Sequence, residues 1–230
     1  MCGRYTLAAT DASQLRARWP IGERLEVRRR YNVAPGDDVL AVVQRDEREP
    51  PEGTLLRWGL VPFWASDPKE LGVRTINARA ETMADRPAFR DAFESRRCLV
   101  LADGFYEWSS GVPHWITRAD GEPFAFAGLW SSWRAKGAGR DVEPLRSCAI
   151  VTTAAAGPVR DLHDRMPVIL PGPQQESLWL DPATEPERLL AACSPEAAPA
   201  LKSRRVSRAV NDARHDAPDC LDPPEQASLF

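Results

Sequence analysis

The sequence predicts a single α+β domain in which short β-strands outnumber the helices. A chain of 230 residues, 43% apolar and 27% charged, is long enough to bury one sizeable core. No internal repeat, linker or low-complexity segment divides the chain, so residues 1–222 form one predicted domain. Proline and acidic residues begin the remaining segment, 223–230, which is predicted to be a loosely ordered tail.

In the first half of the chain, strands alternate with short helices. Runs of β-branched, aromatic and other apolar residues predict strands over residues 3–8, 39–44, 54–58 and 98–102. Three helices are predicted between these strands. The first is capped by Thr10 or Asp11, the second follows Asp67, and the third follows Asp85.

The second half of the chain continues this pattern. Apolar runs predict strands over residues 114–118, 124–130, 148–153, 168–170 and 204–210. The first two of these strands are predicted to pair as a hairpin across the turn at residues 119–122. Two helices are predicted over residues 174–180 and 186–193, the second with a capping box between Thr184 and Glu187.

Composition excludes several classes of protein. The five cysteines are odd in number and widely spaced, which argues against a disulfide framework and against a zinc site. We find no long apolar run and no signal peptide, so neither a membrane nor secretion is expected and the cytoplasm is the predicted location. No metal or cofactor is predicted. The net charge of −3 means that any phosphate-binding site must be a local patch.

The first residues, Met1-Cys2-Gly3-Arg4-Tyr5, carry the most specific chemical signal. A small residue after the initiator favours removal of Met1, which would leave Cys2 with both a free α-amine and a thiol. Their ordinary pKa values, about 7.7–8.0 and about 8.5, leave nucleophilic forms of both near neutrality. This aminothiol can close on an aldehyde as a thiazolidine, or the thiolate can attack a carbonyl with the amine as base. Position alone also allows Cys2 to be an ordinary buried strand residue behind a retained Met1.

Two further residues have settings suited to proton transfer. Glu107 lies between aromatic residues after a buried strand, where a carboxyl pKa is raised. The alternative is an exposed glutamate on an edge strand. His163 lies between two aspartates before a predicted strand, which suits a general acid or base, although a lone histidine is more often structural.

The loop at residues 58–64 is dense in aromatic residues, including Trp64. Aromatic side chains on a loop with glycine and proline can form a lid over the core. They can also form a platform on which unpaired bases stack. The loop composition by itself leaves both interpretations open.

Six motifs in order resemble the SRAP (SOS-response-associated peptidase) family, from residue 2 to about residue 222. They are Met1-Cys2-Gly3-Arg4-Tyr5, Tyr31-Asn32-Val33-Ala34-Pro35-Gly36, Trp58-Gly59-Leu60-Val61-Pro62, Ile76-Asn77-Ala78-Arg79-Ala80-Glu81-Thr82, Asp103-Gly104-Phe105-Tyr106-Glu107-Trp108 and His163-Asp164-Arg165-Met166-Pro167. The resemblance implies a mixed, β-rich domain whose antiparallel strands form a barrel-like core with peripheral helices. It also implies a protein that detects abasic sites in single-stranded DNA, links to them covalently and so protects the lesion in the DNA damage response.

The resemblance implies four catalytic residues. Cys2 would capture the aldehyde of the ring-opened abasic sugar as a thiazolidine. Asn77 would orient the α-amine or the sugar, and Glu107 would handle protons during imine formation. His163 would act as acid or base on the opened sugar and assist reversal of the link. An imine beside a phosphate leaving group also implies a weak strand-cleaving lyase activity.

The resemblance also implies a DNA-binding face. Arg4 and Arg79 match positions that contact phosphates, Asn32 and Pro35 match a loop beside the pocket, and Trp64 matches a stacking position. Some relatives follow this tryptophan with a second aromatic residue, where this chain has alanine, so a weaker wedge against a neighbouring base is expected. The expected partner is single-stranded DNA that contains an abasic site, bound by a monomer, with little sequence preference.

Two rival functions remain open on the sequence. The first is an N-terminal cysteine hydrolase or peptidase with Cys2 as nucleophile and His163 as base, in which removal of Met1 can be self-catalysed. The second is a non-covalent single-stranded DNA-binding module that uses Arg4, Arg79 and Trp64.

Overall fold

Two β-sheets make up most of the fold, and the first is an antiparallel sheet that carries the start of the chain. The computed structural model describes residues 2–8, 11–46, 48–139 and 141–224. From edge to edge, the strands of this sheet are β13 (Leu201–Arg205), β8 (Val112–Arg118), β7 (Gly104–Ser109), β1 (Tyr5–Leu7) and β2 (Arg30–Val33). Because β1 lies between β7 and β2, main-chain hydrogen bonds hold it from both sides.

The second sheet closes into a five-stranded barrel. In order around the barrel, its strands are β3 (Asp38–Val43), β4 (Glu52–Trp58), β10 (Leu145–Ala154), β9 (Phe124–Trp133) and β6 (Arg97–Ala102). The contact between β4 and β10 is parallel, and the other four contacts are antiparallel. Closure removes the exposed edges that an open sheet would leave. The predicted α+β class with a barrel-like core is confirmed.

Three short strands extend the barrel sheet beside the site. They are β5 (Asn77–Arg79), β11 (Arg165–Pro167) and β12 (Ile169–Leu170). Both β5 and β11 pair with the same barrel strand, β10. Two segments that are distant in the sequence therefore flank the same barrel strand.

Four of the barrel strands, β3, β6, β9 and β10, are buried along most of their length, which explains why their sequences are nearly continuous apolar runs, whereas β4 is partly exposed. Alternate residues point to opposite sides. One set, which includes Val100 and Phe126, packs with Tyr5 and Phe105 of the first sheet. The other set packs against large apolar side chains of the helices. Edge-to-face contacts such as Tyr5–Phe126, 5.7 Å between ring centroids, join the two sheets.

The helices are short and lie around the barrel. They are α1 (Ala12–Arg18), α2 (Pro68–Gly72), α3 (Arg90–Ser95), α4 (Pro173–Leu180) and α5 (Pro186–Ala192). The side chain of Asp11 caps α1 by accepting a hydrogen bond from the Gln14 N–H at 2.9 Å. The alternative cap, Thr10, lies outside the described residues.

An excursion of the chain over residues 59–76 separates β4 from β5. Both strands pair with β10, one after the other, so the excursion leaves and rejoins the same strand edge. Its base is closed by a hydrogen bond from the Leu60 N–H to the Thr75 carbonyl at 3.2 Å. Gly59 has φ of +130°, and a side chain there would lie 2.4 Å from the Gly72 carbonyl oxygen, so this close approach requires glycine.

The predicted hairpin between β8 and β9 is wrong. These strands lie in different sheets, because β8 pairs with β7 and β13 whereas β9 pairs with β6, β10 and β12. The Gly-containing turn at residues 119–122 therefore connects two sheets. Turn composition indicates a reversal of the chain but does not identify the partner of each strand.

Two smaller predictions near the C-terminus also need correction. The Thr184 hydroxyl donates to the Leu178 carbonyl at 2.9 Å, and Glu185 is the N-cap of α5, so the capping box does not form. The last strand ends at Arg205, and Arg208–Asn211 is a 3₁₀ helix. Ser207 caps this turn by accepting from the Ala209 N–H at 3.1 Å, which favours a helical turn over a continued strand.

Some predictions fall outside what the structure describes. Met1, whose removal is expected, is not among the described residues, and neither are residues 225–230 of the expected tail. Among the helices in the described part of the chain, none has the length and apolar character needed to cross a membrane.

Candidate active site

The start of the chain is fixed by a buried network around Asp103. Its carboxylate accepts hydrogen bonds from the Thr6 hydroxyl at 2.5 Å and from the Ala8 N–H at 2.6 Å. The Trp115 indole N–H donates to the same Thr6 hydroxyl at 3.0 Å. A side chain at Gly104 would lie 2.2 Å from that indole nitrogen, which explains glycine after Asp103. These contacts hold β1 rigidly and therefore fix the position of Cys2.

Cys2 lies three residues before β1 and is fully buried, with 0% of its surface exposed. Asn77 holds its main chain, since the Asn77 Nδ2 donates to the Cys2 carbonyl at 2.9 Å. The thiol lies 3.7 Å from the Arg4 carbonyl oxygen. Burial, and next the negative charge of Glu107, raise the pKa of the Cys2 thiol well above its usual range. The thiol is therefore neutral near pH 7 in this environment.

Asn77 reaches Cys2 because β5 pairs in parallel with β10 at the rim of the barrel. Its amide oxygen, Oδ1, is buried and has no hydrogen-bond partner among the described residues. An unsatisfied buried acceptor is costly and favours a donor that enters the site.

Glu107 is buried in β7, with only 3% of its surface exposed. The interpretation as an exposed glutamate on an edge strand is therefore wrong, because β7 lies inside its sheet between β8 and β1. Burial raises the pKa of Glu107, and the charge of protonated His163 acts against this shift. The shift keeps a proton on the carboxyl group to higher pH than in water.

His163 lies on the loop that leads into β11 and is partly exposed. Its Nδ1 is 2.9 Å from the backbone nitrogen of Arg165 and 2.7 Å from Asp164 Oδ1. Nδ1 accepts from the backbone N–H when the ring is neutral, and donates to the carboxylate when the ring is protonated. The histidine thus has a hydrogen-bond partner in either state, as a general acid or base requires.

Arg4 and Asn32 contact each other beside the site. The Arg4 guanidinium donates to Asn32 Oδ1 at 2.9 Å and to the Val210 carbonyl at 2.7 Å. The expected loop position of Asn32 is wrong, because Asn32 lies in β2. It is fully buried, and its Nδ2 donates to main-chain carbonyls of the segment 210–215. Both side chains therefore tie the C-terminal segment to β1 and β2. Burial lowers the pKa of Arg4 below its usual range.

A groove of about 500 Å³ begins at Asn77 and contains two more of the expected residues. Trp64, which is 49% exposed, and Arg79 both line it. Two arginines outside the six sequence motifs, Arg74 and Arg86, line the same groove. None of the described residues that line it is acidic, so the groove is electropositive. In the sequence, Arg74 comes shortly after Gly72 and Arg86 directly before Pro87, and these neighbours indicate loop positions.

Pro35 lies apart from this groove. It is exposed and lines a second cavity of about 310 Å³ with Trp58 and Val73. Beside Trp64, Ala65 points inward and is 7% exposed, whereas Phe63 is 56% exposed. The exposed aromatic neighbour of Trp64 therefore precedes it in the chain.

Within the described residues, one cluster of possible metal ligands lies in the C-terminal segment. Side-chain atoms of His215, Asp219 and Cys220 lie within 4.8 Å of one another. A hydrogen bond of 2.7 Å between His215 Nε2 and Asp219 already accounts for part of this arrangement.

Comparison with known proteins gives a consistent result. The family described as SOS response associated peptidase (SRAP) matches residues 1–213. Abasic site processing protein YoqW of Bacillus subtilis is 37% identical over 231 residues, covering 96% of this chain and 99% of YoqW. Abasic site processing protein YoaM of the same organism is 38% identical over 233 residues, with coverages of 96% and 98%. Abasic site processing protein HMCES of Xenopus tropicalis is 29% identical over 268 residues, with coverages of 96% and 78%.

Solved structures share the fold. A crystal structure of a protein from Bacteroides thetaiotaomicron superposes with a TM-score of 0.82 at 23% identity, covering 96% of this chain and 99% of that one. A protein from Bordetella bronchiseptica gives a TM-score of 0.73 at 28% identity, with coverages of 90% and 100%. The family match extends over nearly the whole described fold and includes every residue assigned to the site. The chain belongs to the SOS response associated peptidase (SRAP) family.

Proposed function

We propose that this protein captures abasic sites in single-stranded DNA by forming a thiazolidine between the sugar aldehyde and Cys2, after Met1 has been removed. The observation that carries the proposal is the placement of Cys2 at the start of the chain, in a buried site. There Asn77 holds its carbonyl at 2.9 Å and the charge of Glu107 acts on its thiol. Relatives named abasic site processing proteins, similar over almost their whole length, support the same substrate.

The reaction follows from the two nucleophiles of an N-terminal cysteine. The α-amine attacks the aldehyde carbon to give a carbinolamine, and loss of water leaves an imine. The thiol sulfur then adds to the imine carbon, its proton passes to nitrogen, and the five-membered ring closes. No oxidant or reductant is needed, and the single by-product is water.

The proposed residue roles use the geometry of the site. Glu107 protonates the departing hydroxyl group of the carbinolamine, since its raised pKa keeps a proton available. The buried Oδ1 of Asn77 accepts a hydrogen bond from the freed amine and orients its lone pair toward the sugar. His163 transfers protons on the opened sugar and during reversal of the crosslink, supported by its two partners on Nδ1.

The proposed DNA path follows the electropositive groove from Asn77. Arg79, together with Arg74 and Arg86, contacts phosphates, and Trp64 stacks on an unpaired base. Arg4 and Asn32 form the wall of the site beside Cys2, and the exposed side of the Arg4 guanidinium lies near the DNA strand. Pro35 lies on the exposed loop that follows β2. Because every assigned residue belongs to one chain, we propose a monomer that acts in the cytoplasm at the nucleoid.

Of two related activities, strand cleavage is proposed to be weak and peptidase activity to be disfavoured. The imine also permits β-elimination of the phosphate, which gives weak strand cleavage, and ring closure by the thiol diverts it from that route. Peptidase activity through a Cys2 thiolate is disfavoured, because burial and the negative charge of Glu107 raise the pKa of the thiol. Self-catalysed removal of Met1 would require the same thiolate.

A denaturing gel tests the proposal. Processed protein is incubated with a single-stranded oligonucleotide carrying one abasic site, with an intact-base oligonucleotide and the Cys2→Ala variant as controls. A shifted band that survives heating is expected only for wild type with the abasic strand. Salt-sensitive binding without any such band, from protein with a confirmed Cys2 terminus, would leave a non-covalent DNA-binding module and overturn the proposal.

A further inference from the structure

A bidentate ion pair lies beside His163. Arg165 Nη1 donates to Glu81 Oε1 at 2.5 Å, and Nη2 donates to Oε2 at 2.9 Å. Nη2 also donates to the Thr152 carbonyl at 2.7 Å. The Arg165 side chain is 13% exposed, and this fork-to-fork geometry fixes both side chains more firmly than a single contact would. The Arg165 hydrogen bonds lower the pKa of Glu81, as expected for a stable pair.

The pair joins the two segments that carry Asn77 and His163. Glu81 follows β5, which contains Asn77, and Arg165 is the first residue of β11, just after His163. Both strands pair with β10 at Thr152, opposite Arg79 on one side and Pro167 on the other. The ion pair therefore crosses over β10 and joins the C-terminal end of β5 to the start of β11, next to His163.

The backbone of Arg165 contacts the ring of His163 directly. Its N–H donates to His163 Nδ1 at 2.9 Å, so the neutral ring must carry its proton on Nε2. Asp164, 2.7 Å from the same nitrogen, favours the opposite arrangement with a proton on Nδ1. The tautomer of the neutral histidine thus depends on how firmly the Arg165 backbone is held.

We propose that Glu81 is a positioning residue that acts through Arg165 to hold His163 as the Nε2–H tautomer, with its proton available to the opened sugar. The inference rests on the function proposed above and adds a residue that does not itself touch the DNA. The Glu81 side chain is 52% exposed, and Arg165 retains its hydrogen bonds to Thr152 when Glu81 is changed. We therefore expect the contribution of Glu81 to lie in the His163-dependent step rather than in folding.

A double-mutant cycle tests this on the release of protein from a purified crosslink, measured in the presence of excess abasic competitor strand. His163→Ala is expected to slow release by about 100-fold, the lower range for a general acid or base. Glu81→Gln is expected to slow it by about tenfold, typical for loss of a charged hydrogen-bonded support. The double variant is expected to match His163→Ala alone, because the proposal places the effect of Glu81 on this step entirely at His163.

A matched control is available in the chain. Glu52 is 51% exposed, close to the 52% of Glu81, and pairs with Arg45 at 2.6 Å. Glu52→Gln should release at the wild-type rate, and Glu81→Asp, which retains the charge, should recover part of the lost rate. If Glu81→Gln slows the His163→Ala protein by a further tenfold, or does not slow wild type, the inference is wrong.

Nitrogen-15 NMR of the His163 ring gives a readout that does not depend on crosslinking. Neutral His163 should show a protonated Nε2 in wild type and Glu52→Gln, and a mixture of tautomers in Glu81→Gln. An unchanged ring tautomer in Glu81→Gln would overturn the positioning role. A complete absence of crosslinking in every protein would instead count against the proposed function, while the NMR result would still decide the inference.

Discussion

At Glu107 the fold holds a carboxyl group where its charged form is disfavoured. Burial raises its pKa, and the nearby charge of protonated His163 compensates only in part. In the folded state the group binds its proton more tightly than in the unfolded chain. Its favourable contribution to stability is therefore complete below the unfolded pKa and is lost as pH rises through the folded pKa.

Glu107→Gln should therefore stabilise the fold near neutral pH. The gain over wild type, measured by thermal unfolding, should shrink as pH falls into the ordinary carboxyl range, because wild-type Glu107 is then protonated. The same variant should slow crosslinking by roughly 100-fold through loss of a proton donor. Glu176 is a useful control: it is 5% exposed but pairs with Arg18 at 2.7 Å, so Glu176→Gln should destabilise at neutral pH. A Glu107→Gln variant less stable than wild type at neutral pH would contradict this account.

Residue types and order allowed the catalytic candidates to be chosen from the sequence, but their contacts were not predictable. The position of Cys2 after Met1 is visible in the chain, whereas its bond to Asn77 joins residues 75 positions apart. Asn32 illustrates the difference, since the sequence placed it on a loop beside the pocket. In the structure it is fully buried and holds carbonyls of the C-terminal segment.

Among the elements, the excursion over residues 59–76 connects the barrel to the groove proposed to bind DNA. It leaves β4 and rejoins the sheet at β5, and it carries Trp64 into the groove that Asn77 and Arg79 also line. An exposed indole at this place is suited to stacking on an unpaired base.

Trp64→Ala should weaken binding of an intact single-stranded oligonucleotide by about 1–3 kcal/mol, the usual value of one stacked base. Fluorescence anisotropy at fixed salt measures this change. Leu55, 43% exposed in β4 and outside the groove, provides a control of similar exposure. Equal affinities for wild type and Trp64→Ala would show that the excursion does not contact the strand.

Most strands were predictable because apolar runs and turn residues delimit them, but their partners were not. The run at β6 predicts a strand buried on both faces, which the barrel provides. The turn after β8 indicates a hairpin, but the two strands that flank this turn do not pair with each other. Instead, β8 pairs with β13 and β9 pairs with β6. Pairing depends on contacts between distant segments, which local sequence does not encode.

For the whole molecule, barrel closure and the pinned first strand together assemble the site. Cys2, Asn77, Glu107 and His163 come from four different segments, and the sheets bring them to one rim. The α-amine of Cys2 is part of the proposed chemistry only when Met1 is absent. In the proposed reaction, function therefore depends on processing at a single peptide bond as much as on the fold.

The most direct test of that claim is intact-mass spectrometry of the processed protein and of a chain that retains Met1, each mixed with the same abasic oligonucleotide. The processed protein should give an adduct whose mass equals protein plus DNA less one water, stable to denaturation and to reducing agents that trap imines. The chain with Met1 should give no such adduct, because its Cys2 nitrogen is an amide. Equal adduct formation by both chains, or none by the processed protein, would contradict capture by the N-terminal aminothiol.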